Sequence, residues 1–351
     1  MTTIADQAGG VTVGIDTHGE VHVAAVLDER GRLLGTESFT TDSTGHRRLE
    51  RWACQFGAID AVGIEGTGAW GAGVARHFTA SGHRVVEVDR PDRKTRRQRG
   101  KSDTIDAEAA ARAVQAGTAA GTPKARTGRI EAIRALRVAR RSAIKARSQA
   151  ALQLHCLVST APDELRDQLR TLPLADLVAV TARFRPGNPA DPTQATKAAL
   201  RSIAHRYQQL TTELENLDAI LAPLVAETAP NLVALNGVGT DVAGQLLVTA
   251  GDNPDRLHND AAFSHLCGAS PIPASSGRTN RHRLNRGGDR AANAALYRIV
   301  LCRLRWDPRT RHYVERRTKE GLTKPEIIRC LKRYIAREIY QELNHLPVDH
   351  P

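Results

Sequence analysis

Apolar and polar residues alternate in short runs through the first part of the chain, with helical spacing between the later runs. The strand patterns cover residues 11–16, 21–27, 33–39, 61–64 and 84–88, and the helical patterns cover residues 44–56, 69–81 and 106–115. A polar turn at 28–31 joins the second and third runs, so the first three strands form a predicted meander. This order of elements predicts an α/β domain with a mixed sheet.

The remainder of the chain has mainly helical spacing. Residues 130–158 predict a long helix rich in Arg and Ala, whereas Pro186, Pro189 and Pro192 predict a loop or flexible connector over 172–196. Further on, apolar residues follow the a/d spacing of a coiled coil, at Tyr207, Leu210, Leu214, Leu217, Leu221 and Leu224. This seam predicts a hairpin with the earlier helix, a dimer contact, or both. Additional helices are expected over 291–303 and 324–343.

The charge balance narrows the class of partner. Lys and Arg total 50 against 38 Asp and Glu, a formal net charge of +12, which favours nucleic acid over an anionic membrane surface. Only 4% of residues are aromatic, which argues against a single-strand binder built mainly on stacking. The five cysteines form no Cys-x-x-Cys pair, and no signal peptide or long apolar run occurs. We therefore expect a cytoplasmic protein without a membrane partner.

Four carboxylates stand at positions that favour a shared site. Asp16 closes the first strand and Glu65 the fourth, and loops at adjacent strand ends converge on one crevice. Asp103 and Asp106 are three residues apart at a helix start and share one face. Carboxylates aimed at one place repel one another unless a cation neutralises them, and oxygen ligands suit Mg²⁺ or Mn²⁺.

Each acid also has a structural explanation. Asp103 followed by another acid is typical of a helix start, and Asp16 could cap a turn. The combination of two strand-end acids with the paired acids nevertheless favours a metal site. For His18 we favour a polar turn residue over a metal ligand.

Three segments carry a family resemblance: Gly14-Ile15-Asp16-Thr17, Ile64-Glu65-Gly66-Thr67-Gly68 and Lys101-Ser102-Asp103-Thr104-Ile105-Asp106-Ala107. They resemble the DEDD motifs of the IS110 (IS-one-ten) family of insertion-element transposases, relatives of the Piv invertases. One departure is Gly66, where Ala or Pro is usual in the family.

The resemblance implies three segments along the chain. Residues 1–120 would form an RNase H-like, RuvC-like domain in which Asp16, Glu65, Asp103 and Asp106 bind the metal. Residues 121–229 would form a helical, coiled-coil connector for oligomerisation. Residues 230–351 would form a mainly α-helical transposase domain with a catalytic serine.

A serine loop precedes a cluster of arginines. Residues 268–277 read Gly-Ala-Ser-Pro-Ile-Pro-Ala-Ser-Ser-Gly, and these residues alone favour a turn or helix cap over a nucleophile for the serine before glycine. Four arginines within ten residues could hold a phosphate. The resemblance implies that Ser276 is the nucleophile, with Ser275 as the rival if the register shifts by one.

The resemblance further implies a recombinase that cuts and rejoins donor and target double-stranded DNA through a covalent 5′-phosphoserine link. It implies guidance by a structured bridge RNA, a homodimer or homotetramer, and a bacterial-type, nucleoid-associated location. The residues we expect to contact nucleic acid are Arg93, Arg96, Arg97, Lys101, Arg278, Arg281, Arg283 and Arg286.

Three other functions compete with this interpretation. A RuvC-like structure-selective endonuclease would use the carboxylates with water as nucleophile, and a non-catalytic DNA-binding protein would need only the basic surfaces. Gly14-Ile15-Asp16-Thr17 also resembles the first strand of an actin-like sugar kinase. The absence of a second Gly-rich phosphate loop and the charge of +12 disfavour the kinase.

Overall fold

The structure, a computed structural model, describes residues 9–89, 102–253, 256–277 and 282–346. Contacts divide the chain into two compact units. The first comprises Met1–Thr127 with Gly251–His258, and the second comprises Gly128–Ala250 with Asn259–Pro351. The three-segment division into 1–120, 121–229 and 230–351 stays a prediction.

The first unit contains a five-stranded mixed sheet with three described helices. Its strands are β1 (Val11–Thr17), β2 (Val21–Leu27), β3 (Leu33–Thr40), β4 (Ile59–Glu65) and β5 (Val85–Val88), in the order β3-β2-β1-β4-β5. The first three strands are antiparallel, and β4 and β5 run parallel to β1. The helices are α1 (Ser43–Cys54), α2 (Ala72–Ala80) and α3 (Asp103–Gln115). This arrangement confirms the predicted meander and is consistent with an RNase H-like fold.

The two faces of the sheet are covered by different helices. Alternate residues of the central strands, such as Ile15 and Ile64, pack with Leu49 of α1 and Phe78 of α2 in the main core. The other face packs against α3, which contributes small residues to two further clusters. These α3 residues are Ala107, Ala110 and Val114.

Two glycines allow α3 to lie close to the sheet. Gly14 on β1 pairs with Gly63 on β4, so the two lie side by side. A Cβ on Gly14 would lie 2.0 Å from the Ala107 carbonyl oxygen, and one on Gly63 would lie 2.9 Å from that of Ala110. No side chain fits between the helix backbone and these strands, so glycine is required for this approach.

We expect Gly14→Ala to destabilise the first unit by about 1–3 kcal/mol, because the added methyl group must displace α3. Denaturant unfolding measures the loss, and hydrogen exchange should show faster exchange over 103–115. Gly187→Ala is the control, since its nearest neighbour would be 3.8 Å away. Equal stability of the two variants would contradict the close approach.

The second unit is mostly helical and completes the predicted fold class. Its helices are α4 (Gly128–Ser159), α5 (Asp163–Leu169), α6 (Leu174–Ala182), α7 (Pro192–Thr228), α8 (Pro230–Ala234), α9 (Thr240–Ala250), α10 (Asp260–Leu266), α11 (Arg290–Trp306), α12 (Pro308–Lys319) and α13 (Lys324–Leu343). A two-stranded ribbon, β6 (Ile272–Pro273) with β7 (His282–Arg283), lies between α10 and α11. None of the helices in the described ranges is both long and apolar enough to cross a lipid bilayer.

The residues with coiled-coil spacing in α7 pack against another helix of the same chain. Helix α7 packs against α4, and its a/d residues Leu214 and Leu221 are buried. The predicted hairpin is therefore confirmed. A dimer contact through the same helices stays a prediction.

The predicted connector over 172–196 is wrong for most of its length. Helix α6 occupies 174–182, where Leu177 and Val178 are buried, and α7 begins at Pro192. Proline is compatible with the first position of a helix because its missing N–H has no partner there in any helix. Pro186 and Pro189 do lie outside regular structure.

Candidate functional site

Asp16 and Glu65 lie side by side at one end of the sheet. The last pair in the parallel β1–β4 register is Ile15 with Ile64, so the next residues on the two strands are the two acids. Because side chains alternate along a strand, Asp16 and Glu65 face the same side as Gly14 and Gly63, which is the side of α3. Both acids are buried.

The first turn of α3 brings two further acids to this end of the sheet. Asp103 and Asp106 lie in that turn; Asp106 is buried, while the Asp103 side chain is half exposed. Burial raises the pKa of Asp16, and although His18 opposes this shift, the carboxylates of Asp106 and Asp103 add to it. The site thus concentrates negative charge around the buried Asp16 carboxylate, an arrangement that a cation would stabilise.

His18 lies between two of these carboxylates. Its Nε2 is 3.1 Å from Asp16 Oδ2 and 3.4 Å from Asp103 Oδ1. The sequence favours a polar turn residue for His18, and His18 does follow β1 in the turn. Its imidazole, however, contacts two members of the carboxylate cluster, which we define as Asp16, Glu65, Asp103 and Asp106. No local pattern in the sequence indicates this contact, because it depends on where α3 packs.

The donor atoms of the cluster fit a divalent metal ion. One ligand atom each from Asp16, His18 and Asp103 lies within 4.8 Å of the others. Within the described ranges, no other group of three His, Cys, Asp or Glu residues is so closely spaced. Carboxylate oxygens are the ligands that suit Mg²⁺ and Mn²⁺.

The serine loop is held at its base by two glycines. Gly268 has φ +62°, and a Cβ on Gly288 would lie 2.7 Å from the Gly268 nitrogen. Strands β6 and β7 pair beyond this base, with Ile272 opposite Arg283. Ser276 lies exposed between these strands, as does Ser275. The loop is therefore a ribbon that presents both serines to solvent.

A chain of polar contacts through the half-buried Asn293 supports the start of this ribbon. Asn293 Nδ2 on α11 donates to the carbonyl oxygens of Cys267 and Gly268, at 2.9 and 3.0 Å. Its Oδ1 accepts a 2.8 Å hydrogen bond from Nζ of Lys332 on α13. Lys332 is buried, and this burial, together with the nearby charge of Arg329, lowers its pKa.

A basic cavity of about 770 Å³ lies between this ribbon and α13. Its cationic lining residues are Arg283, Arg317, Arg329, Lys332, Arg333 and Arg337. Asp260 pairs with Arg333 and Arg337, and Glu320 pairs with Arg317, so part of this charge is balanced within the protein. The surplus positive charge suits a phosphate ligand.

Two family models match this chain, one over its N-terminal part and one over its C-terminal part. Residues 13–161 match the IS110 DEDD model described as "Transposase", and residues 229–315 match the model "Transposase IS116/IS110/IS902 family". The chain belongs to the IS110 family of transposases. A 42 kDa protein of insertion element IS900 from Mycobacterium paratuberculosis, described as uncharacterized, is 26% identical over 186 residues. That alignment covers 50% of this chain and 46% of the relative, so it spans less than half of the relative's length.

The two IS110-family matches contain the candidate residues of both units. The first match includes Asp16, Glu65, Asp103 and Asp106, which converge at one sheet end, and the second includes Ser276. Arg283 lines the basic cavity, and Arg286 is exposed on the same loop. The predicted contacts Arg93, Arg96, Arg97, Lys101, Arg278 and Arg281 lie outside the described residues.

We expect Asn293→Leu to destabilise the IS110-family chain by at least about 2 kcal/mol, because it deprives the buried Lys332 ammonium and two carbonyl groups of their bonds to Asn293. Adding Lys332→Met should recover part of the lost unfolding free energy, because it removes the buried ammonium that no longer has Asn293 as a partner. Denaturant unfolding of both single variants and the double variant measures this coupling. Losses that simply add would show that the two side chains act independently.

Proposed function

We propose that this chain is the transposase of an insertion element and cuts and rejoins donor and target double-stranded DNA. The observation that carries the proposal is the convergence of Asp16, Glu65, Asp103 and Asp106 at one sheet end in an IS110-family chain. A non-catalytic DNA-binding protein would have no use for a buried carboxylate, Asp16, whose pKa is raised by its burial and by the nearby Asp106 and Asp103.

The reaction we propose is a transesterification at Ser276. The Oγ–phosphorus bond forms as the bond from phosphorus to the 3′ oxygen breaks, and the hydroxyl proton of the serine ends on the 3′ hydroxyl. The product is a 5′-phosphoserine link that keeps the phosphodiester bond energy, so rejoining needs no nucleotide cofactor. The exposed position of Ser276 on its ribbon supports access to a DNA phosphate.

The carboxylates would hold Mg²⁺ or Mn²⁺. Asp16, Glu65, Asp103 and Asp106 would supply the oxygen ligands, with His18 beside Asp16 and Asp103. Bound there, such ions supply charge neutralisation for the attacking and leaving oxygens of phosphoryl transfer. The surrounding protein fixes the four acids through β1, β4 and α3.

The serine and the carboxylates belong to different compact units of the chain. We propose that they meet in a composite site formed between subunits of a homodimer or homotetramer. Recombination of two duplexes also favours an even number of subunits.

We propose that a structured bridge RNA pairs with both donor and target DNA. The basic cavity lined by Arg283 and Arg333 supports contacts to the phosphates of such duplexes. Base pairing would then carry the sequence specificity, while the protein recognises backbone and duplex shape. A bacterial-type cytoplasm with the nucleoid is the location that suits these substrates.

A RuvC-like endonuclease is the second candidate function. One observation favours it: the described carboxylate cluster lies wholly in the first unit and includes no residue of the serine ribbon. Such an enzyme would use water as its nucleophile. It would cleave DNA without a covalent intermediate.

Covalent adduct formation separates the two functions. The substrates are DNA carrying the joined ends of the element and RNA transcribed from its noncoding end, with Mg²⁺ present. We expect a denaturation-resistant protein–DNA adduct whose modified peptide contains Ser276. Ser276→Ala should lower adduct formation at least about 1,000-fold, as loss of a nucleophile does elsewhere.

Two variants serve as controls. Ser275→Ala should keep the adduct, and Asp16→Asn should lose both cutting and the adduct while it still binds DNA. Normal strand cutting by Ser276→Ala would favour the endonuclease and overturn the serine mechanism. Undiminished recombination without the RNA would overturn RNA guidance alone.

A further inference from the structure

Trp70 is an exposed aromatic residue close to the carboxylate cluster. It lies in the loop between β4 and α2, five residues after Glu65, and 65% of its surface is exposed. Within the described ranges it makes no ring-stacking or cation–π contact, whereas the equally exposed Trp306 stacks with Arg305 at 4.9 Å. A large apolar surface left open beside a candidate active site suggests a contact with a ligand.

The indole lies against the loop that follows Asp16. A Cβ built on Gly19 would be 3.6–3.7 Å from three carbons of the Trp70 ring. Gly19 directly follows His18, and neighbouring Cα atoms are about 3.8 Å apart. The ring therefore lies between the loops that leave β1 and β4, next to the residues that carry the carboxylate cluster.

The backbone of the Trp70 loop is fixed on both sides. The amides of Ala69 and Gly71 donate to the Gly66 carbonyl oxygen, at 2.9 and 3.2 Å, and Gly66 has φ +72°. From outside the loop, Arg126 Nη2 donates to the Gly68 carbonyl oxygen at 2.8 Å. These bonds fix the backbone that carries the indole, which lowers the entropy cost of a contact.

Arg126 is itself held in an unusual backbone conformation. Its φ of 55° is the only positive value for a non-glycine residue in the described part of the chain. The Asp252 carboxylate stabilises it by accepting hydrogen bonds from the amides of Arg126 and Thr127. Strain retained in this way is typical of segments that support a functional site.

The negative charge of the cluster and the apolar surface of Trp70 together favour a nucleobase as the group that contacts the indole. A nucleic-acid strand that approaches Asp16 and Asp103 meets repulsion between its phosphates and the carboxylates unless cations are present. Stacking on an indole is an attraction that does not depend on charge and that every nucleobase can make. A base inside a duplex has both faces covered, so only an unpaired base is free to stack.

We propose that Trp70 stacks on an unpaired nucleobase of the strand whose phosphate lies at the carboxylate cluster. This rests on the proposed function, because it assumes a nucleic-acid substrate at that cluster. The base could belong to DNA opened at the cleavage position or to the guide RNA. The shared requirement is one free base face beside the reacting phosphate.

The test compares oligonucleotides of equal charge. Twelve-nucleotide thymidine DNA, the corresponding uridine RNA and a twelve-residue abasic DNA strand differ in bases but carry the same phosphates. Their affinities for the full chain are measured by fluorescence anisotropy with Ca²⁺, to separate binding from cutting. Trp70→Ala should weaken binding of the base-containing strand about tenfold and leave abasic binding unchanged. Trp70→Phe should retain most of the affinity.

Trp306→Ala is the matched control because Trp306 has the same exposure, and it should show no difference between base-containing and abasic strands. If Trp70→Ala loses affinity for thymidine DNA alone, the stacked base belongs to DNA. If it loses affinity for uridine RNA alone, the base belongs to RNA. The stacking role would be overturned if Trp70→Ala lost affinity equally for all three strands, lost none, or changed only in oligomeric state. The proposed function would still stand if Ser276-dependent adducts formed in that same variant.

Discussion

The close contact between α3 and the sheet at Gly14 and Gly63 positions the whole carboxylate cluster. The helix backbone lies so near β1 and β4 that a single methyl group has no room there. Two residues further along each strand, Asp16 and Glu65 face the same helix because side chains alternate. The first turn of α3 then delivers Asp103 and Asp106 to that sheet end. One packing contact therefore brings acids from three separate segments together.

This contact also explains how a basic protein can carry a strongly acidic site. The chain has a net charge of +12, yet the cluster buries Asp16 and Asp106 near one another. Burial and neighbouring carboxylates raise the pKa of Asp16, so the cluster is unfavourable without a partner cation. Packing energy elsewhere in the domain maintains this arrangement. The basic cavity beside the serine ribbon, in the second unit, is lined by six Arg and Lys residues.

Local patterns predicted the sheet and its four acids because strand alternation and strand ends are visible in a short stretch of sequence. Patterns failed where the structure depends on distant contacts or on helix ends. His18 joins the cluster only because α3 packs nearby, and Asn293 meets Lys332 across two helices. Prolines predicted a connector over 172–196 although Pro192 begins α7. Helix α12 has almost no apolar face, because Thr310 is its one buried residue, so hydrophobic spacing does not reveal it. The pattern that does indicate its start is the N-cap Asp307 followed by Pro308.

The position of a bound metal ion would show most directly whether the four acids form a metal site. Crystals of the full chain grown with Mn²⁺ allow the ion to be located by its anomalous scattering. We expect a peak ligated by Asp16 and Asp103 beneath the first turn of α3, with Glu65 and Asp106 around it. A well-ordered carboxylate cluster without such a peak, with Mn²⁺ bound only elsewhere, would contradict it.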